Sequence, residues 1–425
     1  MRRTLAAKML LAALCSTVAV TAASSALAAS TKITFWTWYT DSSYKQPMES
    51  LLKDFMKENP SIKVVHSVFD FGAIQDKYVT TVIAGTQPDV VLASSRGLTQ
   101  MASSGAFAPL DPFIIRDKFD VKDVYSNLWS GVSYGGKKYA LPFAGGNQQA
   151  LWYNMDMFAE VGIDPKSAPK TWSEFADACR KLARDKNSDG KLETWGVDST
   201  LLFPSWLLAN GGDWTAPDGS KVLWNSEKGV EAMEYIANMW NKYSVVNTGW
   251  GTPFETGKCG AHLEGPYMLS RYTKLIKFKF GLGMHPQNDG VTDFRMWASS
   301  DSLALSRKPK DKMEAGWKLI RFLMLPDVQA KWSVMTGFPP NVRSATATPA
   351  FRKAAAEQPL LQTGADLLEY ATSFYPCVKD RDLEPLMTRY QNLVIAGKMS
   401  SKMAVDKATD EANKLIARFL KVLKK

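Results

Sequence analysis

Short apolar runs alternate with amphipathic stretches along the hundred residues that follow position 30. Residues 32–38 and 62–68 are rich in β-branched and aromatic side chains, a pattern typical of strands. Residues 44–59 and 74–84 place apolar side chains three and four positions apart, which indicates helices. The run at 90–93 is uniformly apolar, as a buried parallel strand requires. This order of strand, helix, strand, helix and strand predicts an α/β fold.

Residues 139–154 form the central stretch of this pattern. We expect an apolar strand that breaks at Gly145-Gly146, then three consecutive amides, then a second apolar strand. Glycine permits positive φ and close approach to a ligand, and amides offer donors and acceptors to hydroxyl groups. We interpret the stretch as a crossing between two lobes, with the amides facing the space between them. An ordinary loop between two core strands is an equally good interpretation of the composition.

Turn and cap residues predict several further elements. A Gly-Gly turn predicts a hairpin over residues 132–139. Thr171 and Glu174 form the signature of a capping box at the start of a helix, and an amphipathic pattern predicts a terminal helix over residues 404–423. Two more stretches are candidate crossings between lobes, 297–305 and 336–341.

The first 28 residues have the features of a secretory signal peptide. Arg2, Arg3 and Lys8 precede an apolar run over residues 9–23, and Ala26-Leu27-Ala28 supplies the small residues of a cleavage site. No later apolar run approaches the ~18 residues of a membrane span. We therefore expect a secreted, soluble protein in the periplasm.

Length, charge and cysteine content narrow the class of protein. A chain of 425 residues exceeds what one hydrophobic core usually holds, so two domains are expected. The formal net charge of +10 is spread thinly and forms no basic stripe with interleaved aromatic residues, so no nucleic-acid partner is expected. Of the cysteines that follow the signal peptide, Cys179, Cys259 and Cys377, at least one must stay unpaired, and we expect mostly buried thiols.

Sequence signals for catalysis and for metal binding are weak. His66, His262 and His285 each stand alone in their segments, and neither a nucleophile elbow nor a phosphate-binding loop is found. Residues 185–190 match the first half of a calcium loop, but Gly196 occupies the position of the required bidentate Glu. A solvated turn is the favoured interpretation, and no metal, cofactor or catalytic residue is predicted.

Signals for ligand binding are stronger, because several tryptophans fall near strand ends or glycine-rich loops. Sugar rings stack on indole through their apolar faces, while their hydroxyl groups pair with amides and carboxylates. Polar neighbours of this kind follow many of these tryptophans, as Asp41 follows Trp38. The set comprises Trp36, Trp38, Trp206, Trp214, Trp250 and Trp297.

An ordered series of motifs along the whole mature chain resembles the extracellular solute-binding proteins of ABC importers, of the carbohydrate-binding, maltose-binding-protein-like type. The motifs lie at residues 35–38, 85–90, 105–110, 139–153, 170–175, 210–212, 265–267 and 337–339. The resemblance implies an α/β, type II periplasmic-binding-protein fold, in which two lobes joined by crossing hinge segments close on a ligand by hinge bending. The implied N-terminal lobe comprises residues 29–141 and 300–341, and the C-terminal lobe residues 142–299 and 342–425.

The resemblance also implies a function without chemistry. The protein is expected to be a monomer that captures a mono- or oligosaccharide and delivers it to the permease subunits of an ABC importer. Binding positions in such proteins lie at strand ends along the cleft. Here these positions are Trp38, Ser95, Asn147, Gln148, Trp206, Asn210, Trp250, Glu264, Tyr267, Trp297, Asp301 and Arg343.

Two alternatives stay open at the level of sequence. Arg96 and Arg343 are suited to a carboxylate or phosphate, so an anionic solute such as a sugar acid or glycerol phosphate is the first alternative. A secreted glycoside hydrolase is the second, because such enzymes need two facing carboxylates. Glu264 with Asp301 or Asp70 would supply that pair.

Overall fold

The computed structural model describes residues 30–147, 149–247, 253–373 and 380–423. The strands are β1 (Thr31–Thr37), β2 (Ile62–Val68), β3 (Val90–Ser94), β4 (Ser133–Tyr134), β5 (Lys137–Lys138), β6 (Ala140–Asn147), β7 (Ala150–Asn154), β8 (Trp195–Val197), β9 (Cys259–Glu264), β10 (Phe280–Gly283), β11 (Met296–Leu305) and β12 (Ala371–Ser373).

Helices account for most of the remaining described chain. They are α1 (Ser42–Glu58), α2 (Phe71–Ile83), α3 (Ser95–Ser103), α4 (Asp111–Arg116), α5 (Met155–Glu160), α6 (Trp172–Leu182), α7 (Phe203–Ala209), α8 (Glu227–Ala237), α9 (Leu269–Leu275), α10 (Lys310–Leu323), α11 (Pro326–Thr336), α12 (Pro349–Glu357), α13 (Leu360–Asp366), α14 (Asp380–Ile395) and α15 (Ser401–Leu423). Among the residues described, none of these helices has the length and apolar character needed to cross a membrane.

The first sheet has six strands in the order β2-β1-β3-β11-β12, with β6 paired to the other side of β11. β1 is parallel to both β2 and β3, while β11 is antiparallel to β3. Ile33 and Phe35 of β1 are buried with α1 and α10 on one face, and Val91 and Ala93 of β3 are buried with α2 and α3 on the other. Helices on both faces explain why β3 is apolar from Val90 to Ala93.

The second sheet has four strands in the order β10-β7-β9-β8. Its core includes Leu151 of β7 and Leu263 of β9, packed with residues of α6, α7, α8, α14 and α15. The predicted terminal helix is α15, and its buried stripe includes Ala404, Ala408 and Ile416. The two cores together give the α/β architecture that the pattern of apolar runs indicates.

Two local predictions are confirmed in detail. Thr171 caps α6: its hydroxyl accepts from the Glu174 N–H (3.2 Å), and the Glu174 carboxylate accepts from the Thr171 N–H (3.3 Å). The hairpin of β4 and β5 turns at Gly135 and Gly136, whose φ angles are +56° and +75°. Two successive positive φ angles are what a two-residue turn of this handedness needs.

The expected break at Gly145-Gly146 is wrong, because β6 continues to Asn147. Gly145 and Gly146 pair with Ser300 and Ser299 of β11 at φ angles of +80° and +147°. A Cβ on Gly146 would collide with the Leu368 side chain. The glycines therefore bend the strand without ending it, and the next strand, β7, belongs to the other sheet.

The chain passes between the sheets at other points as well. β10 lies in the second sheet and β11 in the first, so a crossing occurs within residues 284–295. The stretch 297–305, expected to be a crossing, is itself paired inside the first sheet. Beyond the expected lobe limit at 341, the chain stays with the first sheet, because β12 pairs with β11. It rejoins the second core at α14.

Candidate functional site

A cavity of about 610 Å³ opens where the two sheets face each other. Trp38 and Tyr39 reach it directly after β1, Arg96 from the start of α3 directly after β3, and Glu264 from the last position of β9. The carboxyl ends of strands are the usual ligand-binding edge of an α/β sheet, because polar side chains there converge without disturbing the core. The first and second sheets thus both contribute to one wall.

Four rings, Tyr39, Tyr44, Tyr267 and Phe338, form an aromatic cluster in this wall. Ring centroids are 5.2 Å apart for Tyr44 and Phe338, 5.4 Å for Tyr267 and Phe338, and 6.0 Å for Tyr39 and Tyr44. Trp38 lies beside the cluster and meets Phe71 edge to face at 5.2 Å. The cavity therefore offers flat apolar surfaces of the kind that stack on sugar rings.

Asp301 of β11 brings a carboxylate to the same wall. Its Oδ2 accepts from the Tyr39 hydroxyl at 2.9 Å. Burial raises the pKa of Asp301 to about 7, and hydrogen bonds from Tyr39 and Trp38, together with the charge of Arg96, only partly offset that effect. Near neutral pH this group can accept or donate a hydrogen bond.

Glu264 is the second buried carboxylate of the cavity. It accepts from the Tyr267 hydroxyl and from the Gly265 N–H, the latter at 3.0 Å. Burial raises the pKa of Glu264 despite these two hydrogen bonds. Its phenol partner, Tyr267, belongs to the aromatic cluster, and so does Tyr39, the phenol partner of Asp301. Both carboxylates are therefore held next to the aromatic cluster.

Arg96 and Arg271 line the cavity but already have carboxylate partners. Arg271 makes a two-pronged contact with Glu255, at 2.6 and 3.1 Å. Arg96 pairs with Glu384 of α14 and lies 5.5 Å from the centre of the Trp297 ring. Neither guanidinium presents an uncompensated positive charge to a ligand.

Asp198 and His262 form a further polar pair in the wall. His262 Nδ1 contacts Asp198 Oδ2. The other carboxylate oxygen, Asp198 Oδ1, accepts from the Thr200 hydroxyl at 2.5 Å. The imidazole stacks on Phe254 with ring centroids 5.7 Å apart and planes 18° apart. The contact with Asp198 fixes the ring orientation and leaves Nε2 for another partner.

The structure brings four of the predicted site residues together in the cavity: Trp38, Glu264, Tyr267 and Asp301. Ser95 lies just behind its wall, where its hydroxyl bonds that of Ser299 at 3.1 Å. For Asn147 only the backbone is described. Gln148 and Trp250 lie outside the described residues.

Four other predicted residues lie away from the cavity wall. Trp206 is fully buried in the second core, against Trp172 and Tyr235. Asn210 caps the end of α7 and binds Lys228 O and Glu231. Trp297 is buried in β11, and Arg343 pairs with Glu369. The side chains of these four residues pack in the interior or bond to other parts of the chain.

Several residues of the cavity were not predicted from the sequence. Tyr39 is adjacent to Trp38, and Phe338 falls in the proline-rich loop singled out as a crossing, so both had a nearby signal. His262 and Asp198 carry no spacing that links them, because β8 and β9 become neighbours only in the folded sheet. The same holds for Tyr44, Arg271 and Phe254.

A separate acidic group lies on the surface, where the sequence resembles half a calcium loop. Carboxylate oxygens of Asp185, Asp189 and Glu193 lie within 4.8 Å of one another. Asp185 accepts from the backbone N–H groups of Ser188 (2.7 Å) and Gly190 (2.8 Å). These hydrogen bonds are those of a solvated turn, which is the interpretation that the sequence favours.

The two described cysteines, Cys179 and Cys259, are buried free thiols. Burial raises the pKa of both, so neither is a reactive thiolate. Cys377 lies outside the described residues.

Comparison with known proteins identifies the class of this fold. The family model of the bacterial extracellular solute-binding proteins matches residues 40–330. The sn-glycerol-3-phosphate-binding periplasmic protein UgpB of Escherichia coli K12 is 26% identical over 432 residues, covering 93% of this chain and 94% of the relative.

Two solved structures are also similar. The cyclic alpha-maltosyl-1,6-maltose binding protein of Arthrobacter globiformis superposes with a TM-score of 0.79 at 22% identity, covering 91% of this chain and 99% of that one. UgpB of Mycobacterium tuberculosis, in complex with glycerophosphocholine, gives 0.79 at 20% identity, covering 92% and 100%. The two-lobed type II fold and the absence of an enzymatic role are confirmed by this class, which excludes the glycoside hydrolase alternative. The chain belongs to the bacterial extracellular solute-binding protein family.

Proposed function

We propose that the protein captures a carbohydrate in the cavity between its two sheets and delivers it to an ABC importer. One observation carries this proposal: aromatic faces and buried carboxylate acceptors line the same cavity. A sugar ring needs both, an apolar surface for its C–H face and acceptors for its hydroxyl groups. The Arthrobacter structure, named for an oligosaccharide, supports the same class of ligand.

An anionic solute is the second candidate. The Escherichia coli relative is named for sn-glycerol-3-phosphate and aligns with nearly the whole chain, and Arg96 and Arg271 line the cavity. Against it, both guanidiniums are paired, and two buried carboxylates would repel a phosphate. The cavity therefore favours a ligand without negative charge.

The proposal includes the cellular context. The signal peptide over residues 1–28 would direct the chain across the inner membrane, where a soluble monomer would meet the permease. The lobes would follow the two sheets, with residues 29–141 and 300–341 in the first lobe and 142–299 in the second. The packing of β12 favours assigning residues 342–373 to the first lobe and the chain from α14 onward to the second.

A thermal-shift screen of the mature protein tests the proposal. The panel holds neutral mono- and oligosaccharides, uronates and sugar phosphates, and any hit is recovered and checked for chemical change. A ligand at 100 times its Kd adds about 2.7 kcal/mol to the free energy of unfolding, which is readily visible. Stabilisation by uronates or phosphates alone would select the second candidate, and no stabilisation by any carbohydrate would reject the first.

Trp38→Ala then tests the site itself. Loss of a stacking indole should weaken binding of the hit about 10-fold or more by calorimetry. Trp36→Ala is the matched control, because Trp36 lies two residues earlier in β1 and packs against Phe69 outside the cavity. Equal affinities in both variants would contradict a ligand seated against Trp38.

A further inference from the structure

The charge of the cavity wall is opposite in sign to that of the whole protein. The full chain has 52 Lys and Arg residues against 42 Asp and Glu residues, yet acidic groups predominate around the cavity. Even if His262 is counted as a cation, five carboxyl groups face three bases. The acids are Asp41, Asp198, Glu255, Glu264 and Asp301, and the bases are Arg96, Arg271 and His262.

The partners of these groups differ from one to the next. Arg271 is bound to Glu255, and Arg96 to Glu384. Asp198 contacts His262 and accepts from the Thr200 hydroxyl, but burial lowers the pKa of His262 to about 3, so the imidazole is neutral near pH 7. Asp41 accepts from the Ser43 N–H at the start of α1, where the helix dipole stabilises a negative charge. Glu264 and Asp301 are the two acids that accept hydrogen bonds from rings of the aromatic cluster.

Glu264 and Asp301 receive hydrogen bonds but form no ion pair, and the charge of Arg96 only partly offsets the burial of Asp301. Their partners are hydroxyl, backbone N–H and indole groups. Within the described chain, no Lys or Arg nitrogen lies within 4.0 Å of either carboxylate. Burying an ionised carboxylate without a cation is costly, and each retains lone pairs that nothing described occupies.

The rings next to these carboxylates add to the attraction for a cation. Tyr39 and Tyr267 of the aromatic cluster are the phenol donors to Asp301 and Glu264. Tyr44 and Tyr267 each lie within electrostatic reach of both carboxylates. Aromatic faces attract a cation, and the attraction is stronger when the cation is desolvated. The two carboxylates and the cluster thus form one negative, partly apolar corner of the cavity.

We propose that the ligand is a carbohydrate that bears a protonated amino group, which binds Glu264 and Asp301 against the aromatic cluster. This inference rests on the proposed function and names the ligand class more closely. A primary ammonium group suits this corner because its three N–H donors match the free lone pairs of the carboxylates. A quaternary ammonium group lacks such donors, and a neutral sugar brings no positive charge to either carboxylate.

Matched pairs of sugars test the inference by thermal shift and calorimetry at pH 7.5. Each pair differs at one position, amine against hydroxyl: glucosamine and glucose, galactosamine and galactose, and the β-1,4-linked di- and trisaccharides of glucosamine and of glucose. The N-acetylated forms, which keep the size but lose the charge, complete each set, and choline supplies the quaternary cation. We expect the aminated member of at least one pair to bind at least 10-fold more tightly than both uncharged forms.

The two buried carboxylates are then tested individually. Asp301→Asn and Glu264→Gln should each weaken binding of the aminated sugar about 30-fold, because each removes one partner of a buried charge pair. Asp293→Asn and Glu49→Gln are the matched controls, since Asp293 is largely exposed, Glu49 is half-exposed and neither lines the cavity. Thermal midpoints without ligand establish that every variant folds.

The outcomes separate this inference from the function on which it rests. Tighter binding of a neutral or N-acetylated sugar would overturn the inference and leave the carbohydrate-binding function standing. Binding of choline without any aminated sugar would also overturn it. If no carbohydrate on the panel binds, the proposed function fails, and this inference fails with it.

Discussion

Asp301 is a single residue whose surroundings make the stability of the folded protein depend on pH. Its carboxyl group is partly buried, and burial raises its pKa to about 7, well above the value of about 3.9 in an unfolded chain. Between these two values the folded protein holds a proton that the unfolded chain has released. The groups that face it are Trp38, Tyr39, Tyr44, Arg96 and Tyr267.

This difference predicts how the free energy of unfolding depends on pH. Because the folded state binds more protons, the contribution of Asp301 to stability is full below pH ~4 and is lost as pH rises through about 7, by up to about 1.4 kcal/mol per pH unit. Asp301→Asn should flatten this slope in urea titrations of the ligand-free protein between pH 4.5 and 7.5. Glu264, whose pKa is also raised, would retain a slope of the same sign.

The exposed Asp293→Asn variant serves as the control for this prediction. It should keep the slope of the unsubstituted protein. An Asp301→Asn variant that lost stability with pH as steeply as the parent would place the titrating group elsewhere.

At the scale of elements, β6 is the strand on which the cavity depends most. It pairs with β11 through Gly145 and Gly146, and the backbone of Gly145 lines the cavity. A side chain at either glycine would stand in the positive-φ region, and at Gly146 it would also meet Leu368. The strand can therefore lead directly into β7 of the other sheet only because both positions lack a Cβ.

Gly146→Ala should destabilise the protein by about 1–3 kcal/mol, because alanine is strained at this φ and the Leu368 side chain must move. The measurement is the urea midpoint of unfolding. Gly72→Ala is the control: Gly72 lies in the first turn of α2 at an ordinary φ, with nothing within 4 Å of an added Cβ. That variant should be neutral or up to about 1 kcal/mol more stable, and similar losses in both would contradict the argument.

Elements that depend on residues close in sequence could be predicted from the sequence, whereas the residues of the cavity could be predicted only in part. The cap at Thr171 and the Gly-Gly hairpin depend on residues close in sequence. Trp38 and Glu264 could be predicted as cavity residues because they lie at the ends of strands. Trp206 lies within an apolar run, residues 201–208, that suits a strand end or a buried helix equally, and the structure has the helix α7 there. Phe338 meets Tyr267 only through tertiary packing, which no local pattern encodes.

At the scale of the whole molecule, α14 links the two cores. Leu383 and Met387 anchor it in the second core, while its charged side chains reach α2 and α3 of the first. Arg96 pairs with Glu384, and Arg381 contacts Asp76 at 3.2 Å. Such contacts can form only when the two halves are close together, so they favour the closed arrangement over an open one.

Glu384→Gln should therefore shift the protein towards the open state. We expect a larger radius of gyration in X-ray scattering without ligand, and an affinity for the ligand about 5-fold weaker, as the loss of about 1 kcal/mol from a partly buried ion pair predicts. Glu411→Gln is the control, because its ion pair with Arg389 at 2.6 Å joins α14 to α15 within the second core. Unchanged scattering in Glu384→Gln would show that this pair does not govern closure.

The position of Trp38 gives the protein an intrinsic optical reporter. Of the tryptophans in the described part of the chain, it is the one in the cavity wall, beside the buried carboxyl group of Asp301. Indole emission shifts in wavelength and intensity when water leaves its surface or when a neighbouring acid changes its ionisation. Occupancy of the cavity should therefore be readable from the fluorescence of the unlabelled protein, against a steady background from the other tryptophans. Trp38→Phe would remove the signal, and this loss would identify Trp38 as its source.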